Sequence, residues 1–332
     1  MKKNQQVCCE KFKTMIGGQA LIEGIMMRGP EKDAIVVRTK DELKIEVKPR
    51  KIAKKGSFKT WPLIRGCIGF FDAQVTGVKA LMQSVDLAPE EDQEEPSKLD
   101  LWLEKKLGNE KFQKAIIGFS VALGLAMSIG LFFLLPMVVV SFLDNWIRHT
   151  LLLNLVEGLV RITIFSAYML LVSRMNEMKR VFAYHGAEHK TIRCYEAGLE
   201  LTVENVRKMT RMHPRCGTSF LLVVMILSIL VFSVASTLLL AAVPALELLR
   251  GSIWFRLIMI SFKLLMLPVV VAFAYEINRF VGRHDNWFTK ILTAPGMWFQ
   301  NFTTREPDDS MIEVGIAAVQ AVLPEQEGTD RW

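Results

Sequence analysis

Cysteine, histidine and tyrosine are all scarce in this chain, at five, five and four in 332 residues. The cysteines stand at 8, 9, 67, 194 and 216 with no paired spacing, which argues against a disulfide framework and fits a reducing compartment. No repeat of fixed period is present. Met1 to Thr14 is polar and lacks an apolar central region, so no signal peptide is expected. Charge is missing from two long stretches, Ala115 to Leu143 and Thr218 to Val243. Each exceeds the roughly 20 residues that cross a hydrocarbon core as a helix.

What the chain has in excess is apolar surface. Hydrophobic residues make up 51% of it, more than one soluble domain needs, and the excess is concentrated. Two further stretches are long enough to span but carry charges: Thr150 to Ser173 contains Glu157 and Arg161, and Ser252 to Tyr275 contains Arg256 and Lys263. The expected fold is mainly α, a polytopic membrane protein with about four transmembrane helices and a small N-terminal cytosolic α+β region. Buried charges need partners. Glu157 and Arg161 are four apart, a spacing that permits an intrahelical ion pair, and Lys263, with no acid in its own span, points to Glu157 across the bundle.

Orientation follows from lysine and arginine. The connection 174–217 holds nine of them, whereas 144–149 and 244–251 hold one each. The basic connection is therefore expected to face the cytosol, with both termini on that side. The net charge of +7 then sits mostly on cytosolic surface, beside the lipid bilayer and available to a protein partner. Nucleic acid is expected only through a ribosome.

The ends have a different texture. Residues 1–88 open with GGQALIEGIMMRGP, in which Gln19 and Glu23 lie four apart among glycines, with Arg28 as the nearest partner for the carboxylate. Ala34 to Thr39 and Leu43 to Lys48 read as a hairpin, and apolar spacing after Thr60 predicts a helix to Val85 carrying Arg65, Asp72 and Lys79. This helix could lie in the membrane interface, enter it or sit under the bundle. A charged linker at 89–110 precedes the membrane part at 111–285. The closing region, 286–332, begins with an aromatic segment suited to headgroup depth and ends in a helix whose expected capping box is Ser310 with Glu313.

Chemistry concentrates in YHGAEHK, residues 184–190. On a helix His185 and His189 stack one turn apart, so both can reach a single ion, zinc being the divalent transition metal such donors favour. H-x-x-E-H is the inverse of the zincin motif, in which the glutamate, here Glu188, serves as general base. A third ligand is needed, and Glu196, near the same helical face, and the pair His213 and Cys216 in RMHPRCGTSF are the candidates. Gly186 between the histidines either breaks the helix or admits a close backbone. Glu276 and His284, beyond the fourth span, lie at the same level and could complete the cluster.

GGQALIEGIMMRGP, RG-x-x-G-F at 65–70, HGAEHK, HPRCGTSF, YE-x-N-R at 275–279 and TREPDDS-x-IEV together resemble the bacterial YqhQ family over nearly all of 16–323. The resemblance implies an integral protein of the bacterial cytoplasmic membrane and a metal-dependent enzyme. It assigns no ligand, substrate or catalytic residue. Three functions remain in view: a metal-dependent hydrolase of a membrane-proximal or lipid-linked substrate, a non-catalytic scaffold whose basic layer docks a partner such as the protein-insertion machinery or a ribosome, and a carrier using Glu157 and Lys263.

Overall fold

The computed structural model describes residues 11–40, 42–50, 56–87, 109–143, 147, 150–326 and 328–331. Nearly all of the charged linker at 89–110, and Cys8 and Cys9, lie outside them. Four strands form an antiparallel meander: β1 (Gly17–Leu21), β2 (Gly24–Arg28), β3 (Lys32–Arg38) and β4 (Leu43–Pro49). Helix α1 (Ile64–Leu87) follows. Next come α2 (Asn109–Ile129), a π turn at Gly130–Leu134 and α3 (Leu135–Ser141), then α4 (Thr150–Val172), α5 (Asn176–Glu196) and the short α6 (Val203–Lys208). The chain continues as α7 (Gly217–Ala242), α8 (Ile253–Arg283), α9 (Trp287–Thr303) and α10 (Asp309–Val322).

Among the described residues, four helical stretches are long and apolar enough to cross a membrane: Gly118–Val140, Leu151–Val172, Gly217–Ala242 and Ile253–Arg283. The chain is a membrane protein by this measure. The fourth helix runs past the expected limit at Tyr275 because Glu276 and Arg279 are tolerated once the helix has left its apolar part.

The chain divides into two compact units. One gathers residues 1–88, 169–227 and 267–332, and the other 89–168 and 228–266. In the first, side chains alternate along the strands, so successive residues reach opposite faces of the sheet. Ile25, Met27, Ala34 and Val36 join Ala183, Tyr184 and Ala187 of α5 and Val314, Ala318 and Val319 of α10 in one buried cluster. The opposite face, with Leu21, Met26, Ile35 and Val37, buries Ala80 of α1. Strand β2 is buried on both sides, which is why GIMMR is apolar without alternation. The turn joining it to β1 places Glu23 at φ +51°. Sequence patterning found the β3–β4 hairpin but not β1–β2, because a glycine-flanked continuous apolar run carries no period-2 signal.

Helix α1 therefore rests on the sheet through its small residues, while Phe71, Val75 and Val78 on another face are exposed. Helix α10 starts two residues earlier than expected. Asp308, not Ser310, accepts from the Met311 N–H, Ser310 donates to Asp308, and Glu313 is drawn away to Arg38. Helix α9 has Asn286 as cap and exposes Trp287 and Trp298 while burying Phe299 and Gln300. Within the second unit, Pro136 has no N–H to give the Phe132 carbonyl four residues back, and that carbonyl accepts instead from Arg161 Nε at 2.9 Å.

Candidate metal centre

Helix α5 is fixed by its buried side. Ala183 and Ala187 press on the sheet and α10, which turns His185 and His189 to the opposite face. The helix passes through Gly186 without a break. A methyl group there would overlap the Arg305 carbonyl oxygen, so glycine admits the 303–307 segment against α5. That approach brings the Thr303 carbonyl to 2.8 Å from His185 Nδ1. Gly186→Ala is expected to cost about 2–3 kcal/mol through backbone overlap, read as a lower thermal unfolding midpoint.

The same logic orients the second ring, whose Nδ1 lies 2.6 Å from the Arg211 carbonyl. A carbonyl can only accept, so both histidines donate from Nδ1 and keep Nε2 unprotonated when neutral. His185 Nε2 meets Cys216 Sγ at 3.1 Å, and His189 Nε2 is buried with no partner. The ligand atoms of His185, His189 and Cys216 all lie within 4.8 Å of one another. Glu188 sits alongside. Its Oε1 accepts from the Gly18 N–H at 2.9 Å and its Oε2 is buried and unpartnered. A Cβ on Gly18 would fall 3.1 Å from the Glu188 carboxyl carbon, so β1 reaches the site only as glycine.

Electrostatics follow from this crowding. Burial disfavours a thiolate, but the neighbouring imidazoles outweigh it and hold Cys216 well below the usual thiol range. Burial likewise opposes a charged His185, yet the Cys216 thiolate lifts its pKa to about 9. Burial raises Glu188 above the ordinary carboxylate range, against the pull of both histidines. A poised thiolate and two oriented imidazoles, one with its Nε2 unspent, form a donor set that fits zinc or a similar ion.

The other expected ligands are placed elsewhere. Glu196 shares the angular face of His185, but eleven residues of helical rise put it about 16 Å along the axis. It is fully buried against Arg215, with the Thr14 N–H donating at 2.9 Å. His213 comes close, its ring centroid 5.4 Å from that of His189, but its Nε2 is taken by Glu196 Oε2 at 3.4 Å and Arg215 at 3.3 Å. Burial and the adjacent Arg215 keep its pKa well below the usual value. Glu276 pairs with Arg65 at 2.5 Å, and the exposed His284 turns to the Phe280 carbonyl, so neither completes the cluster. Glu23 is held by Arg180 at 2.6 Å and by Tyr184 Oη at 3.2 Å, not by Arg28, which binds Asp33 and Asp72. Residues that sequence reading missed are Gly18, Thr303 and Arg211. The last two act through main-chain carbonyls, which leave no signature in a sequence.

A cavity of about 610 Å³ reaches His185, Glu188 and Cys216, and Gln19 borders it. Its other walls include Phe70, Phe182, Phe220 and Leu221. Arg215 also lines it, with Nη1 buried and unpartnered.

A family model described as a protein of unknown function, DUF1385, matches residues 61–325. The uncharacterised protein YqhQ of Bacillus subtilis is 33% identical over 327 residues, covering 94% of this chain and 93% of that protein. The chain belongs to the YqhQ family. No solved structure matches it, so for this member of the family the arrangement of His185, His189, Cys216 and Glu188 rests on the geometry above.

Proposed function

We propose that this YqhQ-family protein binds one divalent transition metal, zinc by its donor types, through His185, His189 and Cys216, and hydrolyses a membrane-proximal amphiphile at the cytosolic face. The observation that carries the reading is the convergence of three ligand atoms within 4.8 Å beside an unspent carboxylate oxygen, Glu188 Oε2. When bound, the ion supplies Lewis acidity. The chain's own groups do the rest. Glu188 accepts a proton on Oε2 while Gly18 holds its other oxygen in place, and burial raises its pKa above the ordinary carboxylate range, the direction that favours proton uptake. The apolar walls at Phe70, Phe182 and Phe220 seat an alkyl portion and exclude water, and Arg215 Nη1 offers a donor to an anionic head.

Position supports a membrane substrate. Cys216 directly precedes the span Gly217–Ala242, and Phe220 and Leu221 lie in its first turn. The inside-positive bias of the basic connection 174–217 supports a cytosolic position for this end and for both termini.

Glu188→Gln separates the parts of the proposal. It should leave metal content unchanged but lower the release of water-soluble product from a bacterial lipid extract by about 10²–10⁴-fold, the range typical of a lost general base. Full activity in that variant would remove Glu188 from the chemistry. The scaffold reading draws less support, because much of the basic layer is matched within the chain: Arg207 pairs with Asp309, Lys208 with Glu204, and Arg211 donates to the Thr304 carbonyl.

A further inference from the structure

The second unit contains a cavity with charged groups set among apolar walls, which the hydrolytic reading does not use. It measures about 90 Å³ and lies where α3 and α7 finish and α4 and α8 begin. Asn154, Glu157, Arg250, Arg256 and Lys263 line it, with Met259 and other apolar residues between them. Helical rise places Asn154 about 6 Å from the start of α4 and Lys263 about 15 Å from the start of α8. The cavity thus runs from headgroup level toward the middle of the hydrocarbon layer.

The chemistry is one-sided. Glu157 spends both oxygens, one on Arg161 at 2.7 Å and one on Lys263 at 2.5 Å. Asn154 accepts from Lys263 through Oδ1 at 3.2 Å, which leaves its Nδ2 buried and without a partner. Arg256 makes no ion pair among the described residues, and Arg250 is matched by Glu247. The unspent groups facing the cavity, Asn154 Nδ2 and the Arg256 guanidinium, are therefore N–H donors. Among the described residues, four cations, Arg161, Arg250, Arg256 and Lys263, meet two carboxylates, Glu157 and Glu247. An unpaired donor within a cationic, low-dielectric pocket calls for an acceptor-rich anion.

We infer that this cavity is a binding site for a phosphate group, held by Asn154, Arg256 and Lys263. Its sources are a phospholipid headgroup of the leaflet into which these helix ends project, or free inorganic phosphate. Bidentate capture by Arg256 at the mouth and a single N–H from Asn154 inside would fix the phosphate, while Glu157 holds Lys263 in position. A carrier path is not required. The pair Glu157–Lys263, which in sequence suggested transport, here builds the floor of the site.

The test uses the full chain reconstituted in phosphatidylcholine nanodiscs. Two probes are titrated, inorganic phosphate and phosphatidylglycerol, with bound lipid read by native mass spectrometry and phosphate binding by calorimetry. Saturable binding of phosphatidylglycerol alone assigns a headgroup site, and binding of phosphate assigns a free-anion site. Either should weaken about tenfold or more in Arg256→Gln, the loss of one charge-assisted hydrogen-bonding group. Asn154→Leu, which keeps every charge and fills the space, should weaken it as well. Saturation by neither probe, or affinity unchanged in both variants, overturns the assignment. Metal content is measured on the same samples and should not change, so failure here is distinguishable from failure of the hydrolase reading.

Discussion

Purified wild-type protein is expected to carry close to one transition-metal ion per chain by elemental analysis, and the His185→Ala, His189→Ala double variant to carry none. The expectation is sharp because both rings are held by main-chain carbonyls, Thr303 at 2.8 Å and Arg211 at 2.6 Å, so their orientation does not depend on the ion. A preorganised site binds with little ordering cost, and deleting two of three ligands leaves no chelate. Cys216→Ser should weaken binding by roughly 100-fold or more, since a hydroxyl is not deprotonated beside imidazole as this thiol is. Glu196→Gln and His213→Ala discriminate further. Both should keep the ion and lose stability instead, because these side chains belong to the Arg215 network. Wild type free of metal after purification without chelators would remove the metal-dependent reading altogether.

The parts of this centre differed in how plainly the sequence announced them. The i, i+4 histidines and the intervening glutamate were legible because helical geometry converts spacing directly into a shared face. The third ligand was narrowed but not chosen. Glu196, by its angle, and the pair His213 and Cys216 were both candidates; the rise per residue sets Glu196 away from His185, and Cys216 is the one that lies with the two histidines. The glycine-rich opening was noticed only for Gln19 and Glu23. Its function in the fold is to let β1 present the Gly18 N–H to Glu188. Among the membrane helices, hydropathy located all four stretches, and the scarcity of intramembrane acids made Glu157 the natural partner for Lys263, a pair the structure places at 2.5 Å. Pairings in the aqueous part were less legible. Surface acids and bases are plentiful there, so Glu23 and Glu276 had many suitors and found Arg180 and Arg65.

Removing Glu157 should damage the protein far more than removing either of its cations. Glu157, Arg161 and Lys263 are each at least nine-tenths buried, and one carboxylate serves both bases. Glu157→Leu would leave two cations without a counter-charge, at a cost of about 3–5 kcal/mol. Lys263→Met leaves the Glu157–Arg161 pair intact, with Arg161 still bonded to the Phe132 carbonyl, and should cost much less. The third comparison decides between electrostatics and packing. Glu157→Leu combined with Lys263→Met removes one base with the acid, so stability should recover by a clear fraction, as for buried pairs replaced together by apolar groups. Thermal unfolding in detergent reads all three variants. Equal loss in Glu157→Leu and Lys263→Met, or a double variant no better than Glu157→Leu, would mean that shape and not charge holds these helices together. The expected ranking instead makes one acid the reason that α4 and α8 can carry three charges through an apolar layer.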